Sequence, residues 1–337
     1  MTSEILDGIK KDTVCVWGDI CLDEYIYGEV RAITQEAPVP ALHQSRRDIV
    51  PGQCGNVAYN LSALGARVKL FSCWGKDGSG DQLSQILTAA EVDISNSIIS
   101  PDLCTTYRAK LVHCSAQKGY HHLYHIYREM LCPVEIAKEL LKNFTLHCPD
   151  CQVLVLSDYS LGVLAEELIS DIITQAQAFS IPVIVNTRRS IKSFRHVSGI
   201  ICNLEEVNRA LGYSQSNART DLEKIAGGVR RLLDQNDWRW VLLTLGRGGM
   251  LLVTDASNTS EKEGLHLPPV AAEVVDVTGA GDTVVAAMAL AEASGLSPEK
   301  GMVIANLSAG VVVGKPGTST ASCDEIKRLS EFVGHQL

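Results

Sequence analysis

The chain has 337 residues, 46% of them apolar, and a formal net charge of −9, enough for one large α/β domain or two smaller ones around a sizeable core. The acidic balance, with no basic stripe, speaks against a nucleic-acid partner. No stretch of about 18 apolar residues is present to span a membrane, and the N-terminus lacks the basic-then-apolar order of a secretory signal. These features predict a cytoplasmic protein. The 11 cysteines fit a reducing compartment: their number is odd and they are scattered through apolar segments, as small buried hydrophobes would be.

In chain order, Thr13–Asp19 is a short apolar run stopped by Gly-Asp, the pattern of a buried strand that ends in a loop. Asp19 and Asp23 lie at its exit, where ligands gather in α/β sheets, and either can contact a sugar or sit in an exposed turn. Residues 30–50 read as irregular, with Pro38 and Pro40. A Gly-rich turn at Pro51–Gly55 opens a helix with Val57, Leu61 and Leu64 on one face and Gly65 as its stop. A strand at 68–75, a helix at 77–90 and an extended piece at 92–99 repeat the βαβ order of a mainly parallel sheet covered on both faces.

Residues 104–128 break that rhythm. Thr105–His113 and Tyr120–Arg128 are rich in β-formers and read as a hairpin, a flap over a site or a dimer contact. As a strand, the second run puts His121 and His125 on one face and His122 on the other. The alternation then resumes: strand 151–158, helix 165–180, strand 181–186, strand 199–203, helix 204–211 with Gly212 as its stop, helix 221–235. Strand 240–245 follows, then a Gly-rich turn at 246–249, a returning strand at 250–254, and finally an apolar helix at 302–313. With no repeat or linker, residues 1–337 read as a single domain plus a flap.

The organising stretch comes late. Asp276-Val-Thr-Gly-Ala-Gly-Asp-Thr283 stands between the apolar run Val270–Val275 and an Ala-rich helical run from Val284 to Ala293. Free amides at a helix N-terminus, with the positive end of its dipole, make an anion site. Gly279 and Gly281 let the backbone close around a phosphate. Asp282 can take a proton from a hydroxyl attacking that phosphate, or can simply cap the helix. Asn203 and Glu206 suit a Mg²⁺ held through water beside phosphates, or equally a capping box. Cys148-Pro-Asp-Cys151 has no second ligand pair for zinc, and the histidines near 121–125 are weak metal candidates.

Taken together, these stretches resemble the ribokinase-like (PfkB-type) sugar kinases from about Val14 to about Ser322. The match rests on Pro51-Gly-Gln-Cys-Gly-Asn56 early, Asn203-Leu-Glu-Glu206 in the middle and Asp276–Thr283 late. Within that family it is most similar to heptose 7-phosphate kinases, including the kinase portion of the bifunctional ADP-heptose synthesis protein. That narrower match rests on Gly18–Tyr25, Glu36–Pro40, Leu156–Tyr159 and Gly310–Thr320.

The resemblance implies a three-layer α/β/α sandwich with a small β lid that includes 104–128. It implies ATP and Mg²⁺ as partners of catalysis, a sugar phosphate as acceptor and a homodimer, and raises K⁺ near the late turn. Asp282 would be the general base, with Gly279, Ala280 and Gly281 forming the anion hole. Asn203, Glu206, Thr244, Gly246 and Asn306 would lie around the nucleotide, with Glu206 reaching Mg²⁺ through water. Asp19, Asp23, Gly52, Gln53, Asn56 and Arg108 would hold the sugar.

Four departures fall on the sugar and metal sides. Val185-Asn-Thr-Arg188 stands where heptose kinases have Asp-Pro-Lys, Gln53-Cys54 interrupts the early glycine turn, the flap's Lys-x-Arg pair is Arg108-Ala-Lys110, and the lid's acidic tail is changed around Arg128. They leave open a different sugar, or a non-catalytic relative. No H-x-G-H nucleotidyltransferase motif follows, so attachment of a nucleotide is expected of another protein.

Overall fold

The computed structural model describes residues 12–115, 119–147, 150–213, 222–255, 264–270 and 274–334. Its strands in the first half are β1 (Thr13–Gly18), β2 (Ile20–Ile33), β3 (Pro40–Gln53), β4 (Arg67–Phe71), β5 (Cys73–Gly75), β6 (Val92–Asp93), β7 (Ile98–Ser100), β8 (Tyr107–Ser115) and β9 (Gly119–Arg128). The second half adds β10 (Val153–Asp158), β11 (Val183–Thr187), β12 (Gly199–Asn203), β13 (Trp240–Thr244), β14 (Met250–Thr254) and β15 (Leu265–Leu267).

Among the described residues, nine strands form one sheet in the order β15-β14-β13-β12-β11-β10-β1-β4-β6, parallel from β13 to β6. The pleat explains the apolar runs. Val14 and Val16 of β1 face one core with the helices Cys54–Ala63, Ala280–Ala293 and Pro298–Val313. Cys15 and Trp17 face the other, with the helices Val134–His147, Ile169–Ala178 and Leu222–Asn236. A strand covered on both faces needs apolar residues at every position, which is how β1 and β10 read. This is the expected α/β/α sandwich.

Asp19 alone separates β1 from β2, the start of a second sheet ordered β3-β2-β8-β9. Residues 30–50, read as irregular, therefore lie largely in two 14-residue strands, and the lid has four strands among the described residues rather than one hairpin. Beyond its buried base the β2–β3 ribbon is mostly exposed, so no hydrophobic alternation marks it.

The register of β8 against β9 skips Leu123, pairing Lys110 with His125 and Val112 with His122. That bulge brings His122 onto the face of His125, with their ring nitrogens 2.9 Å apart, contrary to the simple alternation. The extended piece 92–99 divides between β6 and β7 of different sheets. The Ala-rich helix begins four residues earlier than its apolar run, at Ala280, and a last helix, Cys323–Gly334, had no reading in the sequence. Cys148 lies outside the described residues, while Cys151 is buried and accepts the Cys15 amide.

Because the strands are parallel, Gly18, Asp158, Thr187, Asn203 and Thr244 end at one edge of the sheet. The lid springs from this same edge. Ligands of open α/β sheets bind outside these carboxyl ends.

Candidate active site

The late glycine turn is built as its sequence requires. Gly279 has φ +81°, and a Cβ there would fall 2.9 Å from Asn56 Nδ2 and 3.1 Å from Thr318 Cγ2. Only glycine fits both constraints. Asp276 ties the turn together: Oδ1 accepts from the Thr278 amide (2.9 Å) and hydroxyl (2.7 Å), and Oδ2 from the Gly317 amide (3.1 Å). The helix Ala280–Ala293 then starts, its first turn carrying amides that have no intrahelical acceptor. A Cβ at Gly281 would meet no atom within 4 Å. The backbone at Gly281 therefore faces open space.

Asp282 lies in that first turn, partly exposed, with each carboxylate oxygen held by one side chain. Asn56 Nδ2 donates to Oδ2 at 2.8 Å and the Tyr159 hydroxyl donates to Oδ1 at 3.0 Å. Asn56 is itself oriented by Asn60, whose Oδ1 accepts from the Thr283 hydroxyl at 2.9 Å. Crowding by protein atoms raises the Asp282 pKa above the ordinary carboxylate value, against the donors Asn56 and Tyr159 and the nearby charge of Arg188. Burial pushes the Tyr159 hydroxyl well up, which keeps it a neutral donor. Asn56, expected at the sugar, thus also orients the acid. Tyr159 was not among the expected site residues, although it lies in the segment Leu156–Tyr159 that carries the narrower resemblance.

Asp19 is used differently from the sugar contact expected of it. Its carboxylate is 1% exposed and accepts the amides of Tyr159 (2.7 Å), Leu161 (3.1 Å) and Val163 (3.1 Å). Burial holds its pKa above the ordinary carboxylate value, against the partial opposition of the three amides. The residue fixes the loop that carries Tyr159.

On the lid, Asp23 accepts from Lys110 Nζ at 2.8 Å, and the same ammonium donates to the Tyr25 hydroxyl at 2.8 Å. Burial disfavours the ammonium, but Asp23 and Tyr25 outweigh it and leave Lys110 above its usual range. The Tyr25 hydroxyl shares a 2.6 Å hydrogen bond with Thr318, which docks the lid on the loop after the helix Pro298–Val313.

Gly52 lies against Asp23, since a Cβ there would come within 2.9 Å of its carboxyl carbon. Gln53 takes φ +58°, a region that favours glycine. With its amide turned to satisfy both groups, its oxygen accepts from Arg108 at 2.9 Å. Arg108 also pairs with Glu129 at 2.8 Å. Asp23, Gly52, Gln53 and Arg108 therefore adjoin one another at the base of the lid.

At the ends of β12 and β13, Asn203 and Glu206 form a full capping box. Asn203 Oδ1 accepts the Glu206 amide (2.8 Å) and Glu206 Oε2 accepts the Asn203 amide (2.9 Å). Glu206 Oε1 accepts from Arg188 Nη1 at 2.8 Å. The guanidinium carbon of Arg188 lies 5.4 Å from the centre of the Tyr159 ring.

Thr244 is paired with Asn203 across β12 and β13, and Gly246, with φ +58°, opens the turn that follows β13. Asn306 is buried and donates to the Pro268 carbonyl at 2.8 Å, so it anchors the loop after β15. Asn186 donates to the Ile201 carbonyl at 3.2 Å. Among the described residues no cluster of three His, Cys, Asp or Glu side chains can hold a metal. Both carboxylate oxygens of Glu206 already accept protein donors, so a phosphate-bound Mg²⁺ could meet it only through water.

The model of the pfkB family carbohydrate kinases matches residues 11–325. The chain belongs to this family. It is therefore a carbohydrate kinase, an enzyme that transfers phosphate to an alcohol. It is 33% identical over 325 residues to the bifunctional protein HldE of Nitratiruptor sp., covering 96% of this chain and 66% of that one. HldE of Gluconacetobacter diazotrophicus is 36% identical over 325 residues, 93% of this chain and 63% of that one. The chain thus spans under two thirds of the length of these curated relatives.

Among solved structures, phosphofructokinase-2 from Escherichia coli in complex with substrates and products superposes with a TM-score of 0.79 at 18% identity, over 96% of this chain and 99% of that one. Arabidopsis thaliana ribokinase complexed with ribose and ATP gives 0.68 at 18% identity, over 95% and 98%. These likenesses show the ribokinase-like fold, lid included. No helix among the described residues is long and apolar enough to cross a membrane.

Proposed function

We propose that this carbohydrate kinase transfers the γ-phosphoryl group of ATP to the anomeric hydroxyl of D-glycero-D-manno-heptose 7-phosphate, giving the 1,7-bisphosphate used to make ADP-heptose. The observation that carries the chemistry is Asp282, held by Asn56 and Tyr159 at the first turn of a helix whose backbone is uncovered at Gly281. The acceptor is supported by the four stretches that resemble heptose 7-phosphate kinases and by the HldE relatives at 33–36% identity.

In this reading Asp282 takes the proton of the sugar hydroxyl as its oxygen attacks phosphorus and ADP departs. The amides around Gly279, Ala280 and Gly281 receive the charge on the phosphoryl oxygens. Mg²⁺, when bound to the nucleotide near Asn203 and Glu206, supplies neutralisation of phosphate charge. Thr244 and Gly246 border the nucleotide, and Asn306 positions the loop beside it. Asp23, Gly52, Gln53 and Arg108 face the sugar, Asn56 serves both sugar and base, and Asp19 acts through its loop. The lid excludes water once closed. A cytoplasmic homodimer belongs to the same reading.

A second reading, another sugar or sugar phosphate, is favoured by the departures at Gln53, Asn186 and Arg188. The test is ADP release with Mg-ATP on the heptose phosphate, fructose 6-phosphate, ribose and unphosphorylated heptose, repeated with K⁺ exchanged for Na⁺. Preference for the heptose phosphate is the expected result; preference for another acceptor sinks the assignment but not the kinase. Asp282→Asn should lower kcat by about 10²–10⁴, and retained turnover would remove Asp282 from the role of base.

A further inference from the structure

We propose that Arg188 is a catalytic residue whose guanidinium contacts the phosphoryl group in flight; this rests on reading the site as a phosphoryl-transfer site. Two consecutive arginines follow β11 and point to different tasks. Arg189 turns inward, its Nη2 on Asp158 Oδ1 (3.1 Å) and on the Leu164 carbonyl (3.0 Å), and it is 18% exposed. Arg188, its amide pinned to the Asp158 carbonyl at 2.9 Å, sends its side chain into the cleft with 54% exposure.

There it bridges the two halves of the site. One nitrogen reaches Glu206 on the nucleotide side, and the guanidinium lies near Tyr159, whose hydroxyl holds Asp282 on the acceptor side. Glu206 needs no arginine for its structural task, because the capping box already satisfies the helix start. No acceptor among the described residues takes Arg188 Nε or Nη2, which leaves a planar fork for phosphate oxygens.

Charge points the same way. The cleft holds Asp23, Glu206 and Asp282, yet must receive a polyphosphate. Lys110 is buried and committed to Asp23 and Tyr25. Arg108, 22% exposed, is engaged by Glu129 and Gln53 on the lid, whereas Arg188, 54% exposed, stands between the nucleotide side and the base. As the acceptor O–P bond forms and the P–O bond to ADP breaks, charge sits on the equatorial phosphoryl oxygens, and the acceptor proton passes to Asp282. Arg188 exchanges no proton; it leaves Glu206 to pair with those oxygens, in the manner of an arginine supplied within the same chain.

The test uses the full chain with whichever acceptor of the panel turns over fastest, so failure of the heptose assignment does not touch it. Arg188→Met and Arg188→Ala should lower kcat by about 10²–10³, with the KM for ATP within about threefold and Arg188→Lys in between. Guanidinium ion added to Arg188→Ala should restore part of the loss. A second readout needs no turnover: aluminium fluoride should tighten ADP binding to the wild type, and Arg188→Met should lose about 100-fold of that gain while ADP alone binds unchanged. The proposal falls if Arg188→Met keeps kcat within about threefold. It also falls if turnover, ADP affinity and thermal midpoint drop together without rescue, the pattern of a prop for Glu206.

Discussion

Tyr159→Phe removes one O–H and little else, so it tests the clamp on Asp282 directly. The Tyr159 hydroxyl donates to Oδ1 at 3.0 Å, and Asn56 holds the other oxygen. A hydrogen bond to a charged group contributes about 1.5–3 kcal/mol. The carboxylate is partly open, so water recovers a share, and about 1.4 kcal/mol is a fair expectation, or roughly tenfold. The sign follows from which form is stabilised. Tyr159 donates to the ionised carboxylate, so removing it adds to the upward push of burial. A general base must be ionised to work. On the acid limb of kcat/KM, at fixed pH, the variant should therefore be about tenfold slower and its limb displaced to higher pH. On the alkaline plateau it should lie within about threefold of wild type, because Asn56 still orients the base. Initial rates of ADP release across pH, on both proteins, measure this. An unmoved limb, or one displaced to lower pH, would refute the clamp.

Gly279→Ala places a methyl 2.9 Å from Asn56 Nδ2 at φ +81°; the strain is worth about 1–3 kcal/mol, and turnover should fall on the order of 100-fold, while Gly281→Ala, where an added Cβ meets no atom within 4 Å, stays folded. Gln53→Gly and Gln53→Ala both lose the amide, so their difference isolates the backbone at φ +58°; urea unfolding should favour glycine by about 1 kcal/mol, and a more stable alanine variant would contradict the strain. Arg189→Met leaves the fully buried Asp158 carboxylate without its counter-ion, held only by the Thr187 hydroxyl and the Ser160 amide, and should cost about 3 kcal/mol, with Asp158→Asn added to it recovering part in a double-mutant cycle. Asp19→Asn turns an NH₂ toward one of three amide donors; a loss of about 1–3 kcal/mol in stability, with kcat reduced and the KM for ATP held, separates a loop anchor from a sugar ligand, whose loss would raise the sugar KM alone.

The parts legible in the sequence were those with local signals. The runs Thr13–Gly18 and Cys151–Asp158 are apolar at nearly every position because both faces of their strands are covered, and Asp276–Thr283 places two glycines between an apolar run and an Ala-rich helix. The lid was half legible: its β8–β9 hairpin has β-rich residues, whereas the far end of β2 and most of β3 are open to solvent and show no alternation. The bulge at Leu123 cannot be read from residue types, so the meeting of His122 with His125 was hidden. Tyr159 and Asp282 are 123 positions apart. Their contact depends on strand order, which no segment of sequence contains.

That strand order also explains why a carboxylate in a glycine turn is held so firmly. Asp19 lies between β1 and β2 and grips the amides of 159, 161 and 163 from one side. Arg189, at the end of β11, grips Asp158 and the Leu164 carbonyl from the other. β10 runs between β1 and β11, so the loop after it is fastened by both neighbours within a few residues. Tyr159 projects from that fastened loop to Asp282, and Arg188 leaves the same crest beside it. A loop on its own would let the tyrosine sample many positions; this one inherits the rigidity of the central sheet. Where the resemblance to heptose kinases leads one to expect a carboxylate and a lysine at the end of β11, the chain has Asn186 and Arg188, yet the fastening elements do not involve Asn186. Its amide bonds the Ile201 carbonyl one strand away. Replacement at 186 and 188 can thus alter what the cleft presents to phosphate and sugar while leaving the aim of Asp282 intact.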